Sequence, residues 1–435
     1  MIDTSYFKEK FDQLQATDPD NVLSAIRKEG FENFNKMGLP TLKHEEWKYT
    51  GISSLFNKEY SLNSEEKLSI ADIDAIRLPG HEQANELVFV NGRFDPSLST
   101  IRSASNQLVV LPLEDAANGI YADLVKEHLG QSNRYLKDGI YALNTSFIQG
   151  GIFIHVNKKQ ELEHPLYLYY LSDVRQSHTL AQPRSLVYVD ESARLQVVET
   201  YLSLGSLDSF TNQVMEMVIN SNAYVEYYKI QNDAANASQV STTHIRQIGK
   251  SYVHAVTVSL SGNMIRNNMN LVMEAAGNEA HLYGLYLLNG STHVDNHTMV
   301  DNREPNCFSN EFYKGILDDQ STGVFSGKIF VEPQAQKTNA YQSNKNILLS
   351  DHASINTKPQ LEIFADDVKC SHGCTVGQLD PEALFYLNTR GISKEKAQSM
   401  LLQAFASDIV AQVKPKHLLK HIKELINNRL ADKQA

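Results

Sequence analysis

The strongest constraint on the fold is a long succession of short β-type runs between about residues 150 and 368. Several runs open with one element: a polar residue, an alanine, a variable residue and an apolar residue that starts the next run. Repeats of about 30 residues with β-type content predict stacked coils, as in a β-helix, with the small alanine at a tight corner. A β-sandwich, whose strands also recur between turns, is the alternative, and the repeat favours the β-helix. The element occurs as Ser192-Ala193-Arg194-Leu195, Asn222-Ala223-Tyr224-Val225, Glu279-Ala280-His281-Leu282 and His352-Ala353-Ser354-Ile355.

Helical patterns flank this β-rich region. Apolar residues recur at helical spacing from Tyr6 to Leu14, and Asp380-Pro381 combines an aspartate N-cap with a proline at the first helical position. The carboxy-terminal helices are too short to bury their apolar faces alone, so they must dock on the β body, on a partner, or on both. The sequence therefore predicts a mainly β fold with three units: a mostly helical domain over 1–147, a parallel β-helix core over 148–376 and a helical domain over 377–435.

The amino-terminal unit carries further local signals. Residues 39–50 contain the only tryptophan, Trp47, and predict a loop that is anchored by a buried indole. Short strands with a turn at Asn91-Gly92 are expected over residues 87–113, followed by a helix over 117–129. This unit is therefore expected to contain a few strands among its helices.

Charge and composition argue against several functions. The chain has 435 residues and a formal net charge of −11, whereas phosphate binding by a nucleic-acid partner needs a basic face. No stretch approaches the roughly 20 apolar residues that cross a bilayer, and no secretion signal is recognisable. Three cysteines, Cys307, Cys370 and Cys374, are too few and odd in number for a disulfide framework. These features predict a cytoplasmic protein that binds neither nucleic acid nor membrane.

Signatures of common catalytic sites are missing from the sequence. It has no Gly-x-Ser-x-Gly nucleophile elbow, no phosphate-binding loop and no dinucleotide-binding glycine motif after a strand. Gly315, Gly323 and Gly327 are separated by strand-like residues, and this spacing is typical of turn glycines. The chain is therefore predicted not to be an enzyme and to have no ATPase activity of its own.

The sharpest local feature is the segment Cys370-Ser371-His372-Gly373-Cys374. On a strand, Cys370, His372 and Cys374 would share one face, and thiolates with an imidazole suit iron, iron–sulfur clusters or zinc. Neighbours on that face lie about 6.6 Å apart, whereas zinc ligands lie only about 2.0–2.3 Å from the metal, so one strand cannot close a mononuclear site. The segment could lend one or two ligands to a larger cluster that another chain completes. Free thiols with no metal are the alternative.

A second candidate is His293-Val294-Asp295-Asn296-His297, which Cys307 follows a few residues later. Two histidines four positions apart bind zinc readily on a helix. The surroundings here indicate turn and strand instead, and the His-Glu pair of metalloproteases is absent. A polar, hydrogen-bonded loop is therefore favoured over a metal site.

Two blocks of the sequence resemble the SufB/SufD family of iron–sulfur cluster assembly proteins. The first, residues 40–50 (PTLKHEEWKYT), resembles the amino-terminal signature of the SufD branch; these residues are called the amino-terminal signature below. The second block is discontinuous and extends from the later β region into the carboxy-terminal helices. It comprises Tyr313-Lys314-Gly315, Phe325-Ser326-Gly327-Lys328-Ile329, Ala335-Gln336, Asn346-Ile347-Leu348-Leu349-Ser350, Pro359-Gln360-Leu361-Glu362-Ile363, Asp366-Asp367-Val368-Lys369-Cys370-Ser371-His372-Gly373, Leu384-Phe385-Tyr386-Leu387 and Arg390-Gly391-Ile392.

The resemblance implies a right-handed parallel β-helix and a scaffold role in cluster assembly. A nascent iron–sulfur cluster would form transiently at the interface with a SufB-type paralogue, with His372 contributing and no cofactor bound tightly to the isolated chain. Cys370 matches the cysteine of the family motif, whereas Cys374 stands where the family pattern usually has alanine. A SufC-type ABC ATPase would bind the carboxy-terminal helices, through residues Leu384, Phe385, Arg390, Met400, Leu401 and Phe405.

Other functions and states remain open from the sequence alone. A β-helical enzyme acting on polysaccharide would need an exposed carboxylate or basic groove and usually a secretion signal. A stand-alone zinc protein would retain metal when purified by itself. The free edge of a β-helix could also support a homodimer through strand pairing. No motif for binding a flavin is visible.

Overall fold

The computed structural model describes residues 5–17, 22–62, 68–74, 76–135 and 137–431. Helices flank a central β-solenoid, as the sequence predicts. The helices are α1 (Ser5–Thr17), α2 (Val22–Met37), α3 (Ile70–Asp74), α4 (Leu113–Asn118), α5 (Ala122–His128), α6 (Gly139–Ser146), α7 (Pro381–Thr389), α8 (Lys394–Val410) and α9 (Lys416–Ala431).

The strands form two sheets of ten, with the first sheet in the order β2-β1-β5-β8-β10-β12-β14-β16-β18-β20. The second follows the order β19-β17-β15-β13-β11-β9-β7-β4-β3, and β6 also pairs with β9. The strands are β1 (Asn85–Val90), β2 (Arg93–Phe94), β3 (Leu108–Pro112), β4 (Ile152–Val156), β5 (Leu166–Asp173), β6 (Thr179–Ala181), β7 (Arg184–Val189), β8 (Arg194–Leu204), β9 (Ser209–Ile219), β10 (Tyr224–Asn232), β11 (Ala237–Gln247), β12 (Tyr252–Ser261), β13 (Met264–Met273), β14 (Glu279–Leu288), β15 (His293–Asn302), β16 (Phe308–Leu317), β17 (Thr322–Val331), β18 (Asn339–Leu348), β19 (Ser354–Ile363) and β20 (Lys369–Gly377).

From β7 onward the chain alternates between the two sheets, and each strand pairs in parallel with the strand one coil earlier. Equivalent residues of the first sheet lie 27 to 31 positions apart along the chain. Side chains that point inward from both sheets form a continuous core along the solenoid. This stacking confirms the β-helix and excludes the β-sandwich. The equivalent residues that set the spacing are Arg194, Tyr224, Tyr252, Glu279, Phe308, Asn339 and Lys369.

The recurring alanine element marks a tight corner at some coils only. Ala193 and Ala223 precede equivalent strand starts and are buried, and the polar residue before each, Ser192 and Asn222, has a φ of 58°. A left-handed backbone favours residues such as asparagine at that point. Ala280 instead lies within β14 and pairs with Val253 and Ser309, so the predicted corner is wrong there.

The prediction of turns at Gly315, Gly323 and Gly327 is also wrong, because all three lie inside strands. A Cβ atom at Gly315 would collide with the ring of Tyr286, and one at Gly327 with the amide of Gln342. These glycines make room for large side chains inside the solenoid, a requirement that local sequence does not reveal.

The amino-terminal unit packs on the solenoid and contributes strands to it. β1 pairs in parallel with β5, and β3 pairs antiparallel with β4, so residues before 148 take part in both sheets. The predicted turn is present, with positive φ at Asn91 and Gly92. The helix expected over 117–129 is instead two short helices, α4 and α5, separated at residues 119–121.

The carboxy-terminal helices differ in how they use their apolar faces. α8 and α9 pack on the outer face of the first sheet, where Leu402 and Ile422 share a buried cluster with Val256 and Leu285. Every residue of α7 is exposed or half-buried. Of the helices in the described ranges, none combines the length and the apolar character that spanning a membrane requires.

Candidate functional site

The three predicted ligands lie on β20, the last strand of the first sheet. β20 pairs with β18, in a register that sets Cys370 beside Ala340, His372 beside Gln342 and Cys374 beside Asn344. Ala340, Gln342 and Asn344 are buried inside the solenoid. Because in-register residues of parallel strands point the same way, Cys370, His372 and Cys374 all project from the core-facing side of β20.

This strand forms one open end of the solenoid. Cys370 is half-buried, and every other residue of β20 is exposed. β20 and β19 are the terminal strands of the two sheets, and each pairs with one neighbour within the described chain. Phe364, just after β19, is 62% exposed, and Val376 on β20 is also exposed. Two unpaired strand edges with apolar side chains beside them form a surface suited to pairing with another chain.

The open end holds an incomplete set of metal ligands. Among the described residues, no three His, Cys, Asp or Glu side chains converge closely enough to hold a metal ion. Burial raises the pKa of Cys370, and a hydrogen bond with the Ala340 backbone offsets part of that rise. Thiols bind metal as thiolates, so this rise disfavours the metal-binding form of Cys370 in the isolated chain.

Polar side chains lie directly beneath this end, in a column that no local sequence motif indicates. Glu311, Gln342 and His372 are in register on successive strands, and Gln342 Nε2 donates a hydrogen bond of 3.2 Å to Glu311 Oε1. Burial raises the pKa of Glu311 to about 7, and interactions with Thr298 and Gln342 offset part of that rise. The coil spacing is the signal that could have revealed this column, since these residues lie 31 and 30 positions apart.

The second candidate, around His293 and His297, is a polar network on strand β15 and not on a loop. Thr50 Oγ1 donates to Asp295 Oδ2 at 2.5 Å and lies 2.9 Å from His293 Nε2. His297 Nε2 lies 3.0 Å from Asp295 Oδ1. Although burial alone would raise the pKa of Asp295, His297 and Arg266 hold it well below its usual range. These groups fasten the amino-terminal signature to the solenoid.

Trp47 makes the second part of that attachment. Its indole is 1% exposed, as predicted, and the Arg266 guanidinium lies 3.9 Å from the centre of its ring. Arg266 also donates to the Glu46 carbonyl oxygen at 2.6 Å and to Asp295 at 2.8 Å. A cavity of about 580 Å³ opens beside these residues, between the signature and the second sheet. The signature is therefore a structural clamp that borders a cavity.

The third cysteine is structural. Cys307 is fully buried in the solenoid core, next to Asn306, whose φ is 62°. Burial raises the pKa of its thiol. It occupies a corner before β16 and lies apart from Cys370 and Cys374.

The predicted ATPase-binding residues lie on two helices: Leu384 and Phe385 on α7, Arg390 directly after it, and Met400, Leu401 and Phe405 on α8. Phe385 is 70% exposed, Met400 and Arg390 are exposed, and Leu384 and Leu401 are half-buried. Phe405 differs from the rest because its ring lies 4.4 Å from Lys314 Nζ and packs toward the first sheet. α7 and the first turns of α8 thus present an exposed apolar surface, whereas Phe405 helps to attach α8 to the solenoid.

Comparison with known protein families identifies the kind of chain that carries this site. Residues 171–405 match a family model described as "SUF system FeS cluster assembly, SufBD core domain". Residues 4–168 match the model "SufBD protein N-terminal region". This chain belongs to the SufBD family. Membership favours an assembly role over the polysaccharide enzyme and the zinc protein.

Relatives of the SufBD family align along nearly the whole chain. An iron–sulfur cluster assembly SufBD family protein of Synechocystis is 30% identical over 421 residues, which cover 94% of this chain and 92% of the relative. The iron–sulfur cluster assembly protein SufD of Escherichia coli is 29% identical over 399 residues, covering 91% and 90%. The SufD protein of Bacillus subtilis is 23% identical and covers 94% of each chain. The chain is thus a SufD homologue.

Proposed function

We propose that this protein is a non-catalytic scaffold subunit of the SUF machinery, which pairs with a SufB-type paralogue and binds a SufC-type ATPase in the cytoplasm. The observation that carries the proposal is the open end of the solenoid, where His372, Cys370 and Cys374 project from an exposed edge strand. A nascent iron–sulfur cluster is the cargo of this site and not a resident cofactor. The partner supplies the ligands that this chain lacks.

The chemistry of the edge supports that role. Thiolates and an imidazole are ligands that iron–sulfur clusters accept. Their spacing along one strand suits a multi-iron cluster better than a single ion. The free edges of β19 and β20 offer backbone groups to a matching solenoid, so one interface would both join the two scaffolds and complete the cluster site. In the absence of the paralogue, the same edges would support a homodimer.

The carboxy-terminal helices support the ATPase part of the proposal. α7 follows β20 directly, and the exposed Phe385, Tyr386 and Met400 form an apolar surface. α8 and α9 are fixed to the first sheet through a buried cluster. An ATPase bound to α7 would therefore transmit its movement to the solenoid. It would do so close to the open end, where the cluster forms. The scaffold itself makes and breaks no substrate bond.

Replacing His372 with alanine tests the cluster site. Because the side chain is exposed, His372→Ala should leave folding and ATPase binding unchanged, while cluster formation by the reconstituted three-protein complex falls to background. The measurement is iron and sulfide content together with the visible absorption of the cluster. His352→Ala, which removes an exposed histidine from the turn before β19, is the matched control and should assemble normally. Normal cluster yield from His372→Ala would rule out this site.

A further inference from the structure

Gln342 lies immediately beneath His372 and has one hydrogen-bonding atom unused. Its side chain is buried, and Nε2 donates to Glu311 Oε1 at 3.2 Å. Its Oε1 is also buried and has no hydrogen-bond partner among the residues that the structure describes. A buried carbonyl oxygen without a donor costs free energy, so an unpaired acceptor at this depth calls for an explanation.

The amide of Gln342 is held in place from two sides. Glu311 fixes its nitrogen from the previous coil, and Gly327 on the second sheet leaves the space that the amide fills. A Cβ atom at position 327 would collide with that amide. The orientation of the oxygen is therefore set by groups on two other strands and does not depend on His372.

The next core-facing side chain in this column is His372, in register with Gln342 on β20. Histidines that bind metal through one ring nitrogen almost always donate the N–H of the other nitrogen to a fixed acceptor. That second bond selects the tautomer and orients the ring.

We infer that Gln342 is a positioning residue for His372: its amide oxygen accepts the imidazole N–H and leaves the other ring nitrogen free to face the cluster. This inference rests on the proposed function, since it assigns a partner to the histidine of the same site. Glu311 acts one step further away by holding the amide of Gln342. In the structure the two groups are in register without a hydrogen bond between them, so the exposed ring of His372 must turn toward the core to make this contact.

The test uses Gln342→Met, which keeps the length of the side chain and removes the acceptor. The full chain is labelled with ¹⁵N in its histidine rings, and His372→Ala identifies the signals of His372. The native ring should show a single tautomer, and Gln342→Met should convert it to a mixture. Cluster formation in the reconstituted complex should slow by about 10- to 100-fold, the usual effect of losing such a partner.

Two further variants accompany Gln342→Met: a control at a distant buried amide, and a second change that disturbs the amide of Gln342. Gln239→Met makes the same change at a buried amide several coils away and should alter neither readout. Gly327→Ala displaces the amide of Gln342 without deleting it and should reproduce the tautomer mixture, which covers the case in which Gln342→Met fails to fold. Unchanged His372 signals in the Gln342 and Gly327 variants would overturn the inference, even if His372→Ala abolishes assembly. Normal assembly by His372→Ala would instead refute the proposed function. The His372 ring signals of the native chain and of Gln342→Met would still show whether these two side chains are in contact.

Discussion

The two ends of the solenoid are built in opposite ways. At the amino-terminal end, each sheet finishes with an antiparallel strand, β2 or β3, and all eight residues of β5 are buried. At the other end, β19 and β20 continue the parallel pattern and stop, leaving their edges exposed. A stacked β-fold needs a cap at each end, because an uncapped edge pairs with other chains. The first end is closed by the chain itself, whereas the second leaves the edges of two strands exposed.

Buried polar side chains occur at several levels of the solenoid. The core at the closed end includes Leu87, Phe89 and Ile154, but on β8 and β10 Glu199 and Lys229 already form a buried ion pair at 3.2 Å. Near the open end, Glu311, Gln342 and Asn344 are buried within the core. Buried polar groups reduce stability unless they are paired, so they are expected where function requires them. The different closure of the two ends therefore predicts that the closed end stabilises the fold and that the open end serves assembly.

The largest effect is expected from breaking the buried ion pair of the closed end. Arg184 on β7 donates to Glu216 on β9 at 2.6 Å and to Asn144 on α6 at 3.1 Å. Arg184→Met would leave the Glu216 carboxylate buried without its cation, which costs about 3–5 kcal/mol. Urea unfolding monitored by circular dichroism measures this loss.

The matched control for this change is Arg194→Met on β8, because the Arg194 side chain is exposed and its ion pair with Glu161 is solvated. It should leave the unfolding midpoint unchanged. A loss below about 1 kcal/mol in Arg184→Met would contradict the view that this pair holds the closed end.

A pH-dependent effect is expected from Glu311, beneath the open end. Its folded pKa of about 7 exceeds the ordinary value of 4.5, so the folded state retains a proton that the unfolded state releases between these pH values. The stability that this proton contributes is complete below about pH 4.5 and is lost as pH rises to 7. Relative to the native chain, Glu311→Gln should therefore gain about 3 kcal/mol between pH 4.5 and 8.

Urea unfolding of both chains across this pH range measures the difference. The gain should appear mainly between pH 4.5 and 7 and then level off. A difference in unfolding free energy that stays constant with pH would show that Glu311 titrates normally in the folded protein.

The smallest effect is expected from the exposed apolar rim of the open end. Phe364→Ser should leave the unfolding free energy unchanged, because the ring is already in solvent. If this rim meets the paralogue, losing about 1.4 kcal/mol of apolar burial weakens pairing about tenfold. Sedimentation equilibrium with the SufB-type partner measures the affinity.

Phe385→Ser on α7 provides the reciprocal control, since it removes an equally exposed ring from the proposed ATPase surface. It should weaken binding of the ATPase and leave pairing with the paralogue intact. Equal pairing affinities for the native chain and Phe364→Ser would place the interface away from this rim.

Much of the fold could be predicted from local patterns. Strand runs at a spacing of about 30 residues indicate stacked coils, and the Asp380-Pro381 start of α7 is confirmed, with Asp380 accepting a hydrogen bond from the Glu382 N–H. The predictions failed where a residue is chosen by distant neighbours. Gly315 and Gly327 face large side chains from other coils, and Ala280 lies within a strand and not at a corner.

For the candidate site, the sequence by itself determined which side chains share a face of β20, because the alternation of a strand depends only on position parity. It also showed that these ligands cannot close a site alone. Only the tertiary structure decided that this strand is the open end of the solenoid and that Gln342 and Glu311 lie beneath His372. The reason is that parallel pairing joins residues about 30 positions apart, and its register is set by the whole stack of coils and not by any one segment.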